Sequence, residues 1–390
     1  MNFASRIQGL GPEGAYRVMA LASELESQGR DIIHLEIGQP DFGTFPEIVE
    51  AGKDAIDAGF TRYNPSEGYP DIRETIAEYS RNNRSIPAKP QCVVVAPGAK
   101  PVILLPLLAL VEPGDEVLYP DPGFPSYRSA IELAGAKPVP VPLIESNSFS
   151  FDLAELEARI TSKTKLLILN SPANPTGGVI PDADLEAIAE IAQRENLWVM
   201  SDEIYSRLVY DDIHARSICN LDGMSGRTIV VDGFSKSYAM TGWRLGYAIM
   251  PEPLAAKVGL LLTHAVGCTA GFTQKAGVVA IREGDRYIEK IVARYQRRRD
   301  LFIGGLNDIA GLSCNLPEGA FYAFLNTTEL EMPSSTLAQR LLEEAGIACV
   351  SGTDFGANGE GYVRFSYATA SDRLRDAVER IGNFIASLRA

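Results

Sequence analysis

Side chains that build metal centres or disulfide frameworks are scarce in this chain. Its three histidines, His34, His214 and His264, stand alone, with no HExxH or paired spacing, so no zinc-hydrolase motif is present. The five cysteines, Cys92, Cys219, Cys268, Cys314 and Cys349, contain no CxxC pair. An odd number scattered over 390 residues is not a disulfide framework. Long apolar runs are missing too: the longest, Pro101 to Val111, is interrupted by Pro106 and too short to span a bilayer. The opening residues, MNFASRIQGLGPEGAYRV, lack the apolar core of a secretory leader, and a reducing, cytoplasmic location is expected. Positive charge is in deficit, since 36 Lys and Arg face 50 Asp and Glu, for a net charge of −14. Such a surface repels phosphate backbones and anionic lipid, so neither nucleic acid nor membrane is an expected partner.

What is present has globular composition: 46% hydrophobic and 22% charged residues, with a mean hydropathy of −0.01. The length predicts two or three structural units. Strand-length apolar runs (Cys92–Ala96, Glu116–Tyr119, Pro138–Val141, Lys165–Asn170, Leu197–Ser201, Thr228–Val231, Leu245–Met250) alternate with helical patterns at Lys100–Leu110, Tyr127–Leu133, Asp182–Arg194 and Pro253–Leu262. That rhythm predicts an α/β fold with a mostly parallel sheet and helices on its faces. A long helical pattern runs from about Thr273 to Leu306. After it come short strands near Phe321–Leu325, Ala348–Ser351 and Tyr362–Phe365 and helices at Ser335–Ala345 and Ser371–Leu388, a smaller α+β unit. The first 40 or so residues are too few to fold alone and must pack on another part of the chain.

Gly9-Leu-Gly11-Pro-Glu-Gly14 spells GxGxxG, but no strand precedes it and Pro12 stiffens it, so it reads as a loop before a helix. Ser162-Lys-Thr-Lys165 spells SxxK without the other hydrolase motifs. More informative is Gly233-Phe-Ser-Lys236-Ser-Tyr-Ala-Met-Thr-Gly-Trp-Arg244-Leu-Gly246. A lysine directly after a buried strand can be desolvated, lose its proton near neutrality and condense with a carbonyl. Arg244, further along the segment, is a permanent planar cation suited to phosphate. Several other strands end in polar or glycine-rich loops, VVVAPGAK, YPDPGFPSY, LNSPANPTGG and SDEIY among them, and one small-molecule site built from these loops is the economical reading.

Residues 233–246 match the pyridoxal-phosphate attachment signature at every constrained position. From about Ile37 to Ser366 the chain resembles class I and II aminotransferases, with most likeness to the aspartate and aromatic subgroup. The resemblance implies the fold type I of pyridoxal-phosphate-dependent transferases. Its large domain, residues 41–280, would hold a mainly parallel seven-stranded sheet, with a small α+β domain from both chain ends, 1–40 and 281–390. It implies pyridoxal 5′-phosphate as cofactor, Lys236 as the Schiff-base lysine and Asp202 as partner of the pyridine nitrogen, although an Asp there also caps a following helix. Asn174 and Tyr205 would meet the phenolic oxygen and Phe124 would stack on the ring. Gly98, Ala99 and Lys100 at a helix start would meet the phosphate together with Arg244. Relatives often carry a phosphate-binding hydroxyl where this chain has Gly233; Ser235 is the nearest one. Gly38 and Arg364, with Asn174, would receive the substrate α-carboxylate, and Lys100 a distal carboxylate. Tyr63 would cross a homodimer interface to the neighbouring site. Tyr16 and the stretch Thr263–Thr273 are further candidates for the pocket wall.

The implied activity moves the amino group of an L-amino acid, aspartate, aromatic or other, to a 2-oxo acid such as 2-oxoglutarate in a ping-pong cycle. A β-lyase or cyclopropane-forming synthase on the same fold would share the main residues. A cofactor-sensing DNA-binding regulator would need a further basic domain, and a nicotinamide oxidoreductase rests only on the rejected GxGxxG.

Overall fold

The computed structural model describes residues 3–8 and 10–389, so Gly9 of the GxGxxG spelling lies outside the described residues. A short strand, β1 (Ile33–His34), comes before the main sheet. That sheet holds seven strands: β2 (Val93–Ala96), β3 (Glu116–Asp121), β4 (Lys137–Pro142), β5 (Thr164–Asn170), β6 (Trp198–Asp202), β7 (Thr228–Gly233) and β8 (Gly246–Ile249). Their spatial order is β2-β8-β7-β6-β5-β3-β4. Neighbours run parallel except β8, which is antiparallel to both β2 and β7. Each strand lies where the apolar runs predict one, with small differences at the ends.

Apart from the edge strand β4, the sheet is buried on both faces, as its parallel character requires. Strand β5 shows how: Leu166 and Ile168 pack with Val102 and Val258 on one side, and Leu167 and Leu169 pack with Leu185 and Ile188 on the other. The helices Ala99–Leu110 and Glu252–Ala265 thus cover one face and Asp182–Arg194 the other. Each leucine or isoleucine buried this way contributes about 1.5–3 kcal/mol.

The remaining strands are β9 (Tyr322–Asn326), β10 (Ile347–Ala348), β11 (Val350–Ser351) and β12 (Tyr362–Ser366). They do not form one sheet. Strands β11, β12 and β9 pair antiparallel in that order, whereas β10 pairs parallel with β1. The single strand expected at Ala348–Ser351 is therefore split, and buried Cys349 marks the passage from one sheet to the other. The opening segment is anchored by the same pairing, with Ala22 and Ile32 packed against Leu342 and Ala348. The long helical pattern also divides, into Gly271–Glu283 and Asp285–Asn307. Gly284 between them lies against the Tyr238 ring, where a Cβ would collide. Two helices, Pro46–Asp57 and Pro70–Arg84, have no counterpart in the sequence reading; each has proline at its start, where the missing N–H costs nothing.

This topology gathers the chemistry-bearing loops at one edge. Parallel strands β2, β3, β5, β6 and β7 deliver their carboxyl ends there. Because β8 runs the other way, it delivers its beginning, and the segment holding Arg244 arrives at the same edge.

Candidate active site

A cavity of about 600 Å³ opens at that edge. Its lining includes Gly38, Ala99, Lys100, Phe124, Asn174, Asp202, Tyr205, Ser235, Lys236, Arg244 and Arg364. Residues that lie far apart in sequence thus share one wall. Gly98 lies just behind, covered by the guanidinium of Arg244 at a point where any Cβ would collide with it. Its φ of 92° is left-handed, which favours glycine independently.

The floor is built from buried groups. Asp202 ends β6; its Oδ2 accepts a hydrogen bond from the Tyr127 hydroxyl at 2.7 Å, and its Oδ1 accepts from the Ile204 N–H at 3.2 Å. Burial pushes this carboxyl up to about 6, against the pull of those two donors; buried Asp232 and Glu203 push the same way. Lys236 follows β7 and its Nζ donates to the Gly38 carbonyl at 2.6 Å. Burial, then the nearby cations Arg364 and Arg244, lower its pKa from 10.5 to about 8, while Asp202 opposes them. An aspartate drawn up and a lysine drawn down in one cavity mark it as a place for proton chemistry.

Arg364, in the middle of β12, is buried and its ionised form is disfavoured by desolvation. Its Nη1 donates to Asn174 Oδ1 at 3.1 Å and its Nη2 to the Glu36 carbonyl oxygen. Its Nε has no partner among the described residues, a buried donor without an acceptor. The guanidinium lies 4.6 Å from the Tyr322 ring centroid and 4.9 Å from that of Phe355. Tyr205 and Tyr322 hydroxyls meet at 2.7 Å.

Behind the floor lies a second buried cluster. Arg84 donates to Glu203 and, at 2.9 Å, to Asp232 Oδ2. Ser201 and Ser217 hydroxyls each donate to Glu203 Oε1 at 2.7 Å. This guanidinium balances two carboxylates beside Asp202.

A hydroxyl side chain such as the motif usually carries would be a tight fit at Gly233, its neighbours having to give by a few tenths of an ångström. A Cβ there would lie 3.1 Å from Gly246 Cα and 3.2 Å from Ile204 Cδ1. Ser235 reaches the cavity instead. Tyr16 lines the cavity as expected, but the stretch Thr263–Thr273 does not. Its Ala270, Phe272 and Thr273 face a neighbouring groove with Phe42, Val49 and Trp243, because the helix Gly271–Glu283 packs beside Pro46–Asp57. Tyr63 is not among the residues lining the cavity of its own chain and is 97% exposed.

Sequence reasoning missed Tyr127, Tyr322, Glu13, Ser126 and Asp354. Tyr127 stands three residues after Phe124 in a motif already singled out, so its position held a usable signal. Tyr322 and Asp354 come from elements whose approach only the tertiary fold reveals.

The family model "Aminotransferase class I and II" matches residues 30–381. An aspartate aminotransferase of Pyrococcus abyssi is 41% identical over 98% of this chain and 97% of its own length. An aromatic-amino-acid aminotransferase of Thermococcus litoralis is 40% identical over the same shares of the two chains. A solved structure of an aspartate aminotransferase from Thermus thermophilus with maleate superposes with a TM-score of 0.94 at 35% identity, covering 98% of this chain and 99% of that one.

Proposed function

The chain belongs to the class I and II aminotransferase family and is a pyridoxal 5′-phosphate-dependent transaminase, and from that premise we propose which of its residues do the work. The cavity fits the cofactor. A buried carboxylate, Asp202, suits a protonated pyridine nitrogen, and a lowered-pKa amine, Lys236, suits an aldehyde. The start of the helix Ala99–Leu110, free of any Cβ at Gly98 and faced by Arg244, suits a phosphate, with Ser235 as the available hydroxyl. Phe124 would lie against the ring, and Tyr205 and Asn174 would serve its phenolic oxygen. When bound, the cofactor supplies an electron sink for the pair left at the substrate Cα on proton loss.

The chain's own groups do the rest. Arg364, with its unpartnered Nε, and the backbone at Gly38 receive the α-carboxylate, and Asn174 steadies the guanidinium. Lys236 Nζ, mostly uncharged above about pH 8, would take the Cα proton and return it to the carbon on the far side of the substrate nitrogen, as base and then acid. Asp202 stays ionised through its bonds from Tyr127 and Ile204 and so keeps a positive charge beside it favourable. Lys100, half-exposed at the cavity mouth, would meet a distal carboxylate, so aspartate and glutamate are among the donors. Residues 1–40 and 281–390 would form the small domain that carries Arg364 and closes over the site.

We further assign a homodimer, with Tyr63 reaching the neighbour's phosphate site. The side chain's near-complete exposure and the apolar groove lined by Phe42, Val49 and Trp243 support this. Five free cysteines accord with a reducing cytoplasm. The observation that carries the reading is one cavity holding Lys236, Asp202 and Arg364 together. A panel of amino donors with 2-oxoglutarate tests it. Stoichiometric glutamate and a matching 2-oxo acid are expected, whereas pyruvate with ammonia and no glutamate would mean β-elimination.

A further inference from the structure

At the cavity mouth one cation already has a partner. Lys100 Nζ donates to Glu13 Oε1 at 2.5 Å, and the Ser126 hydroxyl donates to the same oxygen at 2.7 Å. Lys100 also lies 5.5 Å from the Phe124 ring centroid, on the cavity side of its helix. Glu13 occupies the N-cap position of the helix Gly14–Ser27, yet its side chain makes no capping bond. The carboxylate is turned into the cavity instead, among the lining residues, with Tyr16 beside it. Its segment is held there from the next turn: Arg17 donates to both oxygens of Asp354, at 3.0 and 3.1 Å, and Gly14 lies against Asp354 where a Cβ would collide.

We propose that Glu13 is a specificity-determining residue: its carboxylate stands on Lys100 in place of a substrate's distal carboxylate, is displaced by acidic substrates, and stays when the side chain is uncharged. This rests on the transaminase reading and on Lys100 facing the substrate side chain. An aspartate side chain brings its own anion and must compete with Glu13 for Lys100, so its affinity is held down. An aromatic side chain brings none, and without Glu13 it would meet a bare ammonium in a cavity that already holds Arg364, Arg244 and Lys236. One mouth can then accept both classes, each at moderate affinity. Both partners are partly exposed, with side-chain exposures of 50% for Lys100 and 25% for Glu13, so displacement is within reach of a competing carboxylate.

The test compares two probes on the cofactor-loaded enzyme, succinate and 3-phenylpropanoate, by titration calorimetry. Glu13→Ala should bind succinate about fivefold more tightly and 3-phenylpropanoate no better, shifting their affinity ratio accordingly. Lys100→Ala should weaken succinate selectively, and adding Glu13→Ala to it should leave the ratio unmoved. If Glu13 only secured its helix, both probes would change together, or the ratio would shift equally in the Lys100→Ala background; either result overturns the proposal. Unchanged affinities in Glu13→Ala overturn it too, while wild-type turnover stands. A wild type that binds neither probe and forms no 2-oxo acid from any donor overturns the transaminase reading with it.

Discussion

The floor and the mouth of this cavity are built on opposite principles. At and just behind the floor, Asp202, Glu203 and Asp232 are buried at strand ends, Arg84 reaches the last two from the end of the helix Pro70–Arg84, and all four hold fixed hydrogen bonds to one another or to Tyr127, Ser201 and Ser217. At the mouth, Glu13, Lys100, Arg17 and Asp354 form ion pairs within reach of solvent, partly from a segment that ends before the first strand. A low-permittivity floor magnifies every charge and tolerates no vacancy. A wet mouth makes each pair weak and replaceable. Chemistry that must be identical for all substrates belongs to the first, and selection among side chains to the second.

Substitutions at the two levels should therefore differ sharply. Asp202→Ala removes the carboxylate proposed to favour a cationic ring, and turnover with any donor should fall about 10²–10³-fold, read by steady-state kinetics. A loss confined to one donor class would place Asp202 with the mouth. Arg84→Met leaves Glu203 and Asp232 uncompensated, and urea unfolding should show about 3–5 kcal/mol less stability. Adding Glu203→Gln and Asp232→Asn should return part of it; no recovery would mean that the guanidinium acts by packing alone. The pH dependence of Lys236 follows next. In the cofactor-free enzyme its condensation with pyridoxal 5′-phosphate, followed by absorbance, should rise with pH, reach half its plateau near pH 8 and level off above it. A lysine at 10.5 would keep rising. The sign follows from the free base being the reactive form, which burial favours. Smallest of all, Arg17→Ala at the mouth should cost at most about 1 kcal/mol of stability. A cost as large as that of Arg84→Met would erase the contrast.

The contrast also governs what could be read from the residues in order. The floor lies at strand ends, and strands as apolar as VVVA, LLILN and TIVV are legible because a sheet buried on both faces needs continuous apolar runs. Asp202, Asn174 and Lys236 each end or follow such a run within a few positions, which makes them legible in the sequence. The helices Pro46–Asp57 and Pro70–Arg84 were missed because their exposed faces are polar and turn signals fill the segment between them. With them went Arg84, which meets Asp232 from 148 positions away. The mouth was hidden for the same reason: Glu13 and Lys100 stand 87 positions apart, and nothing local in GPEGAYRV announces the partner. Arg364 was found through its motif, but its contacts with Tyr322 and Phe355 come from the register of β12 against β9 and from the turn after β11.

We propose that one amine, that of Lys236, holds the cofactor. Borohydride reduction of the loaded enzyme, proteolysis and mass spectrometry test it directly. A phosphopyridoxyl mass on the peptide containing Lys236, and its disappearance in Lys236→Ala, is the predicted result. The same mass on Lys100 or any other lysine, with Lys236 unmodified, would contradict it.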